Sequence, residues 1–366
     1  MDIHFTKMNL HIFNPEHDIA LGYNRKHLTI PHTVQELRMN LGWLPAIWAS
    51  DGDVVLVDDA PFSIKAATHW HGSKAEVLFL SQEELKGIQF DAVVPWGWDS
   101  TLCDRLEKAG VSKEILPSEE ALKEIRQLSN RRTANKVLLA LREELRDITC
   151  GDSAYVTTSE EGRELLQEWK HIVVKSPWSC SGRGIRYIEE EPSPSQKGFI
   201  YNVMKTQGGM MVEPYYNKVM DFGMEFKIDI DGHVDYLGLS LFHTVNGAYT
   251  GNLLATETEK REMLARYIDM SIIDIIRERA SLHCQNLLKD KYMGPFGIDM
   301  MIVKHKNRTH FLVHPCVEIN LRRTMGHVAL SIPTSALEPK RVMTIEHDVN
   351  YRLKVNVIEN CFVKTL

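Results

Sequence analysis

The segment VVKSPWSCSGRGIRYI, residues 173–188, combines a basic side chain with a glycine-containing loop. A strand rich in β-branched residues ends at Lys175, a loop with Gly182 and Gly184 on either side of Arg183 follows, and a second strand leaves the loop. Glycine lets backbone N–H groups approach a polyphosphate, and a lysine at the strand end adds positive charge. The pattern predicts a phosphate-binding hairpin and not a P-loop, because GxxxxGK(S/T) is absent. A glycine-bounded hairpin without a ligand is the alternative.

The segments GIDMMIV and VEINLRR place acidic and amide side chains on neighbouring predicted strands. Glu318, Asn320 and Arg322 share one strand face, because side chains alternate every two residues. Asp299, on the strand before, can lie beside them across the hairpin. Two carboxylates and an amide oxygen form a hard oxygen site of the kind that Mg²⁺ prefers, with positions left for phosphates and water. A solvent-facing polar stripe is the alternative.

The segment MVEPYYNKVMDFGMEF, residues 211–226, has an apolar strand that ends at Glu213, with Asp221 and Glu225 downstream. Exposed peptide groups at such a bend can bind an adenine edge, and an acid can accept hydrogen bonds from ribose hydroxyls. Acidic residues near a bend are common, so this segment alone does not specify a nucleotide site.

Two loops near the amino terminus follow predicted strands. The first is NPEHD, residues 14–18, and the second is WGWD, residues 96–99. Open α/β sheets bind ligands outside the carboxyl ends of their strands, so both loops are candidates for an acceptor substrate site. Each could instead be a capped turn.

The elements that must position these residues fall into two patterns. The first hundred residues alternate short apolar runs with amphipathic stretches, which predicts strands joined by helices in a mostly parallel, Rossmann-like sheet. The predicted strands cover residues 10–13, 54–58, 76–80 and 92–95. Residues 118–145 are helical in pattern, and Pro117 before a possible Ser118 cap indicates a domain boundary.

The rest of the chain mixes helices with longer strands. Thr158 and Glu161 have capping-box spacing at the start of a helix. We expect a helix over 194–204, strands 224–230 and 233–241 around a turn, one long amphipathic helix over 256–288, and a hairpin of strands 296–303 and 310–321. The last thirty-five residues are compatible with an added helix and strand.

In this order and at these separations, the motifs resemble the ATP-grasp superfamily, which includes biotin carboxylase and D-alanine:D-alanine ligase. The motifs are Lys175 with SGRG, the VEPYY hinge, Asp299 and Glu318-x-Asn320-x-Arg322, and the resemblance covers about residues 117–330. It implies α/β and α+β architecture, with an N-terminal Rossmann-like (pre-ATP-grasp) lobe followed by a two-lobed ATP-grasp fold. The expected divisions are 1–116 for the substrate lobe, 117–212 for the small lobe with the phosphate loop, and 213–366 for the large lobe with the magnesium site and a C-terminal extension.

The resemblance also implies an activity and roles for residues. ATP and Mg²⁺ would phosphorylate a small-molecule carboxylate to an acyl phosphate, which an amine then attacks. The implied contacts are Lys175 with the α- and β-phosphates, Ser181, Gly182, Arg183 and Gly184 in the loop over the triphosphate, Glu213 and Tyr215 with adenine, Asp221 or Glu225 with ribose, Asp299, Glu318 and Asn320 with magnesium, and Arg322 with the γ-phosphate or acyl phosphate.

Two departures from the family pattern stand out. A lysine usually follows an aspartate at a helix start, whereas this chain has Ser129-Asn130-Arg131, so Arg131 would take that phosphate contact. Arginine brings a planar fork where lysine brings a point charge, so the contact geometry would differ. Trp178 and Cys180 occupy loop positions where many relatives are richer in glycine.

Composition limits the function classes. The 366 residues include 43% hydrophobic and 25% charged residues, which is typical of a folded multidomain protein and excludes disordered and fibrous classes. A net charge of −6 gives no general attraction to nucleic acid or anionic membranes. Six cysteines without CxxC pairs favour a reducing compartment, and no stretch approaches the about 20 apolar residues that span a bilayer. We expect a cytoplasmic ligase, with a small-molecule kinase or a non-catalytic nucleotide-binding protein as alternatives.

Overall fold

A computed structural model describes residues 7–25, 28–179, 184–245, 248–304 and 310–358. The described elements form three sheets with helices packed on them. No helix among the described residues has the length and apolar character needed to cross a membrane.

The first sheet has four strands in the order β3-β2-β1-β4, all parallel. Its strands are β1 (Asn9–Ile12), β2 (Val54–Leu56), β3 (Leu78–Leu80) and β4 (Ala92–Pro95), and its helices are α1 (His17–Tyr23), α2 (His32–Leu41), α3 (Ala60–Thr68) and α4 (Ser100–Lys108). The expected Rossmann-like lobe is therefore present. Because β1 and β4 are adjacent and parallel, the loops that follow them leave the same edge of the sheet.

Two helices, α5 (Glu119–Leu128) and α6 (Arg131–Glu144), follow this lobe. The side chains of Ser118 and Asn130 cap these helices, because each accepts a hydrogen bond from a backbone N–H group in the first turn. The apolar face of α6, including Leu138 and Leu141, packs in the core of the seven-stranded sheet described below. These helices thus belong by packing to the large lobe, although residues 117–145 were expected with the small one.

The second sheet is antiparallel, with the order β5-β8-β6-β7. It contains β5 (Ala154–Val156), β6 (Ile172–Lys175), β7 (Ile185–Ile188) and β8 (Met210–Pro214), with helices α7 (Ser159–Trp169) and α8 (Pro194–Gln207). The Thr158 capping box is confirmed. Val174 and Val212 pack under the two helices, so Lys175 and Glu213, one position along their strands, point to the opposite face.

The third sheet has seven antiparallel strands in the order β13-β12-β9-β10-β11-β14-β15. Its elements are β9 (Lys218–Ile228), β10 (Val234–Val245), β11 (Ala248–Leu254), α9 (Glu257–Leu264), α10 (Met270–Leu288), β12 (Gly294–Lys304), β13 (Phe311–Asn320), α11 (Met325–Ser331), β14 (Arg341–His347) and β15 (Tyr351–Val357). One face packs on α6 and α10 around Phe222, Phe226 and Phe296. The other face carries the candidate site.

Two expectations for this region are wrong. The helix predicted over 256–288 is two helices, because α9 ends at Leu264 and Asp269 caps a new start at α10. The described part of the C-terminal extension after α11 is a pair of strands, β14 and β15, and not a helix and a strand. Alternating burial along both strands fits an edge hairpin better than a helix.

Candidate functional site

The acidic residues predicted to bind magnesium meet on one face of the large sheet. Asp299 on β12 lies directly opposite Glu318 on β13, and Asn320 lies opposite Gly297. The Asn320 amide donates a hydrogen bond to Asp299 Oδ2 at 3.2 Å. Burial, and then the charge of Glu318, raises the pKa of Asp299 to about 8. The fold therefore disfavours the charged form of Asp299, and a bound cation would favour it.

This donor set fits a divalent cation that takes few protein ligands. In the described ranges of the chain, no three His, Cys, Asp or Glu side chains converge as a metal site. The candidate set is two carboxylates completed by an amide oxygen, which leaves coordination positions for phosphates and water, as Mg²⁺ requires.

Arg131 is the side chain that links the acidic cluster to the phosphate loop. It lies in the first turn of α6 and is only 7% exposed. Its Nη2 is 2.7 and 2.9 Å from the two carboxylate oxygens of Glu318, and its Nη1 donates to Ser179 Oγ at 2.8 Å and to the carbonyl of Ser176. The structure thus brings Arg131 to the acids, across 187 residues of sequence.

Lys175 lies at the end of β6 and forms a buried ion pair with Glu213. The two charged atoms are 2.6 Å apart, and both side chains are about nine-tenths buried. The loop beyond Lys175 closes through a hydrogen bond from Ser176 N to the carbonyl of Gly184. A Cβ at Gly184 would lie 2.1 Å from Ser179 Oγ, so the Ser179 side chain would have to move to admit a larger residue. Ser181, Gly182 and Arg183 lie outside the described residues.

The hinge after β8 presents an aromatic surface. Tyr215 is 44% exposed, and its ring stacks on His171 with centroids 4.0 Å apart. The carboxylate of Asp221 accepts hydrogen bonds from Lys218 and from Thr244 Oγ1. Tyr215 is exposed at this hinge, and 14% of the Asp221 side chain is exposed.

Glu225 does not share that position. It is 3% exposed and lies under α11, where its carboxylate is 3.0 Å from His327 Nδ1. A Cβ on Gly326 would meet its Oε1 at 1.9 Å, so the helix is packed directly on this carboxylate. Of the two acids predicted to bind ribose, Asp221 is the more exposed, with 14% of its side chain exposed against 4% for Glu225.

Arg322 crosses from the large sheet to the first lobe. Its Nη2 is 2.9 Å and its Nε 3.0 Å from Asp18 Oδ2, and both side chains are largely buried. Burial alone would raise the pKa of Asp18, but the charges of Arg322 and His17 outweigh it and hold the pKa below its ordinary value. The carboxylate is therefore ionised at neutral pH.

The two loops singled out near the amino terminus meet beside this ion pair. The Asn14 amide donates to the carbonyl of Gly97 at 2.8 Å and to Asp99 Oδ2 at 3.2 Å. His17 Nδ1 lies 3.5 Å from the same Asp99 oxygen. His17 and Asp18 line a small pocket with Ser179, Glu318 and Asn320. The pocket is therefore lined by the first lobe, by the loop that follows Lys175 and by the acidic cluster of the large sheet.

The sequence reasoning missed His314, four residues before Glu318 on β13. The ring is fully buried, neither nitrogen has a hydrogen-bond partner among the described residues, and it lies edge-on to Tyr216 at 5.5 Å. Burial, and then the charge of Lys175, lowers the pKa of His314 to about 3. Counting back along β13 in steps of two from Glu318 would have placed it on the same face.

Comparison with solved structures settles the fold. The chain is similar to N5-carboxyaminoimidazole synthetase from Staphylococcus aureus complexed with ADP, at 14% identity and a TM-score of 0.56, over 98% of this chain and 96% of that one. The chain has an ATP-grasp fold. An ATP-grasp superfamily protein from Archaeoglobus fulgidus matches 96% of the chain and 100% of its own, at 13% identity and a TM-score of 0.50. Biotin carboxylase from Campylobacter jejuni matches 93% and 76%, at 14% identity and a TM-score of 0.50.

The ATP-grasp fold confirms the architecture expected from the motifs, with the Rossmann-like lobe included in the match. No protein-family model matches the sequence, and no curated protein matches it. At such low identity the likeness establishes the fold alone.

Proposed function

We propose that this chain is an ATP- and Mg²⁺-dependent ligase that activates a carboxylate as an acyl phosphate and joins it to an amine. The observation that carries the proposal is the convergence of Asp299, Glu318 and Asn320 with Arg131. They lie beside a pocket that is also lined by residues of the first lobe. A site that only held nucleotide would not need this acidic set to face a second lobe. The ADP-bound structural neighbour adds support for a nucleotide in the fold.

The nucleotide would lie between the small and large sheets. Lys175 and Arg131 supply positive charge for its phosphates, together with Ser181, Gly182, Arg183 and Gly184 of the loop. Glu213 and Tyr215 are proposed at the adenine and Asp221 at the ribose. Lys175 and Arg131 each hold a carboxylate in this structure, so phosphates compete with those carboxylates for the same N–H donors.

Asp299, Glu318 and Asn320 would hold magnesium, which when bound supplies charge neutralisation between the carboxylates and the phosphates. Arg322 binds Asp18, a residue that lines the pocket between the lobes where an acyl group would form. Its guanidinium fork matches a carboxylate or phosphate, and Asp18 occupies it here. A substrate carboxylate of the same shape can exchange with Asp18 at this guanidinium.

In the proposed reaction a carboxylate oxygen of the substrate attacks the γ-phosphorus and ADP leaves. An amine then attacks the carbonyl carbon of the acyl phosphate, the C–O bond to phosphate breaks, and inorganic phosphate leaves with one proton of the amine. An amine that arrives protonated must first lose another proton. His17, beside Asp99 and the pocket, is the proposed acceptor of that proton.

The decisive experiment supplies the purified chain with Mg²⁺, ATP and a panel of small carboxylic acids, with hydroxylamine as the amine. We expect ADP and a hydroxamate to form together with at least one acid. A stable phosphorylated product without hydroxamate would support a kinase instead. Nucleotide binding without turnover across the panel would contradict the ligase and support a non-catalytic binding protein. Glu318→Gln should lose the activity, and the exposed Glu143→Gln serves as the matched control.

A further inference from the structure

A cavity outside the candidate ATP site lies on the first lobe. It has a volume of about 520 Å³ and opens between α2, α3 and the edge strand β15. In parallel β-α-β units the helices return the chain to the amino-terminal edge of the sheet, so the carboxyl ends of α2 and α3 lie at that edge. The loops at residues 14–18 and 96–99 leave the opposite edge. The cavity is therefore separate from the proposed reaction site.

The walls of this cavity are aromatic. Trp43 and Trp70 lie with ring centroids 5.8 Å apart at an angle of 46°, and Phe62 and Tyr351 add two further rings to the lining. Trp70 Nε1 donates to the carbonyl of Ser73, so the polar atom of that ring is already satisfied. Trp43 is 4% exposed, so the ring surface that a ligand can reach belongs mainly to the half-buried Trp70, Phe62 and Tyr351, which favours a flat aromatic partner.

One polar group in the cavity has no partner. Asn40 is 3% exposed, and its Oδ1 accepts a hydrogen bond from Tyr351 N at 2.8 Å. Its Nδ2 is buried and makes no hydrogen bond to any residue that the structure describes. Buried amide donors are nearly always satisfied, so this one indicates an acceptor atom supplied from outside the protein.

The rim of the cavity is basic. Lys65 and Arg352 are exposed there, and neither has a carboxylate within ion-pair distance in the described part of the chain. Lys354, also at the rim, is already paired with Glu346 at 2.6 Å. Glu346 on β14 lies directly opposite Arg352 on β15 in the antiparallel pair. The described lining includes no Asp or Glu, so the rim favours an anion.

We propose that this cavity binds a small planar aromatic anion. The ring lies against Trp70, a ring or carbonyl acceptor takes the Asn40 amide proton, and the anionic group lies at Lys65 and Arg352. A volume of about 520 Å³ is within the range of small-molecule sites. The inference does not depend on the proposed ligase activity, because none of these residues belongs to the ATP site.

The test measures binding of quinoline-3-carboxylate to the full chain by ligand-observed NMR, with Mg²⁺ and ADP in excess to fill the nucleotide site. Two related probes each lack one feature, since quinoline has no anion and cyclohexanecarboxylate has no aromatic ring. We expect both to bind at least about tenfold more weakly, a difference of about 1.4 kcal/mol. Equal binding of quinoline, or no binding of quinoline-3-carboxylate at millimolar concentration, overturns the proposal.

Substitutions at the rim test whether the anionic group of the probe lies there. Lys65→Ala and Arg352→Ala change exposed side chains, so the fold should survive, and each should raise the dissociation constant about fivefold or more. Lys123→Ala, on the exposed face of α5, removes the same charge elsewhere and should leave the constant unchanged. If all three variants bind alike, the anion does not lie at this rim.

Discussion

Glu318 has two competing roles at the candidate site. Its carboxylate accepts hydrogen bonds from Arg131, and the same oxygens are proposed to hold magnesium with Asp299. The pKa of Asp299 is raised first by burial and then by the charge of Glu318, so part of the shift comes from repulsion between the two acids. Binding of a divalent cation would relieve that repulsion and release part of Arg131 for a phosphate.

The substitution Glu318→Gln tests this role. Glutamine keeps the volume and still accepts a hydrogen bond from Arg131, so the free energy of unfolding should change little. Magnesium-dependent turnover should fall by about 10²–10³-fold, as for loss of one preorganised charge partner. Calorimetry of ADP binding with and without Mg²⁺ gives a second measurement that needs no acceptor. An unchanged magnesium dependence would remove Glu318 from the metal site.

Lys175→Ala separates phosphate binding from stability. The variant should raise the KM for ATP, lower kcat, or both, because the positive charge proposed to bind the phosphates is lost. It should also destabilise the fold by about 3–5 kcal/mol, since Glu213 is left buried and unpaired. The double variant Lys175→Met/Glu213→Leu is the control, because it should recover stability without recovering ATP binding. Normal kinetics in Lys175→Ala would contradict the phosphate assignment.

At the scale of elements, local sequence patterns predicted most strands and helices, but they do not predict contacts between residues that are distant in sequence. Alternation along β13 places Glu318 and Asn320 on one face, and the adjacent hairpin strand β12 brings Asp299 beside them. The pairing of Arg131 with Glu318 depends on how α6 packs over β13, which periodicity does not encode. The single helix predicted over 256–288 failed because apolar spacing continues through a break that the Asp269 cap defines.

Gly97, two residues after β4, packs against His17, the first residue of α1. A Cβ on Gly97 would lie 2.7 Å from the ring of His17, so Gly97→Ala should displace that ring from Asp99. We expect a loss of about 1–3 kcal/mol in the free energy of unfolding measured with urea. Gly162→Ala is the control, since nothing lies within 4 Å of a Cβ at that helical position. An equal effect of the two variants would show that His17 is not held by this contact.

At the scale of the whole molecule, the first lobe is tied to the large sheet through Asp18 and Arg322. A second link is the hydrogen bond from Arg323 N to the carbonyl of Trp96. Neither contact follows from composition or local pattern, although both loops involved could be identified as candidates from their place after predicted strands. If a substrate carboxylate takes Arg322 from Asp18, this link between the lobes changes with substrate binding.

The substitution Asp18→Asn tests the link through its pH dependence. The pKa of Asp18 is lowered in the fold, so the ion pair stabilises the native state above the unfolded pKa of about 3.9, and the stabilisation is lost as the pH falls through the folded pKa. Near pH 7 the variant should be less stable than the parent chain by about 1.5–3 kcal/mol, the worth of a hydrogen bond between charged groups. The difference should shrink in acid, once Asp18 is protonated. Urea unfolding across this range measures it, with the exposed Asp147→Asn as control. A difference that does not change with pH would mean that the stabilisation comes from the shape of the contact and not from its charge, and the two lobes would then not be held by the ion pair.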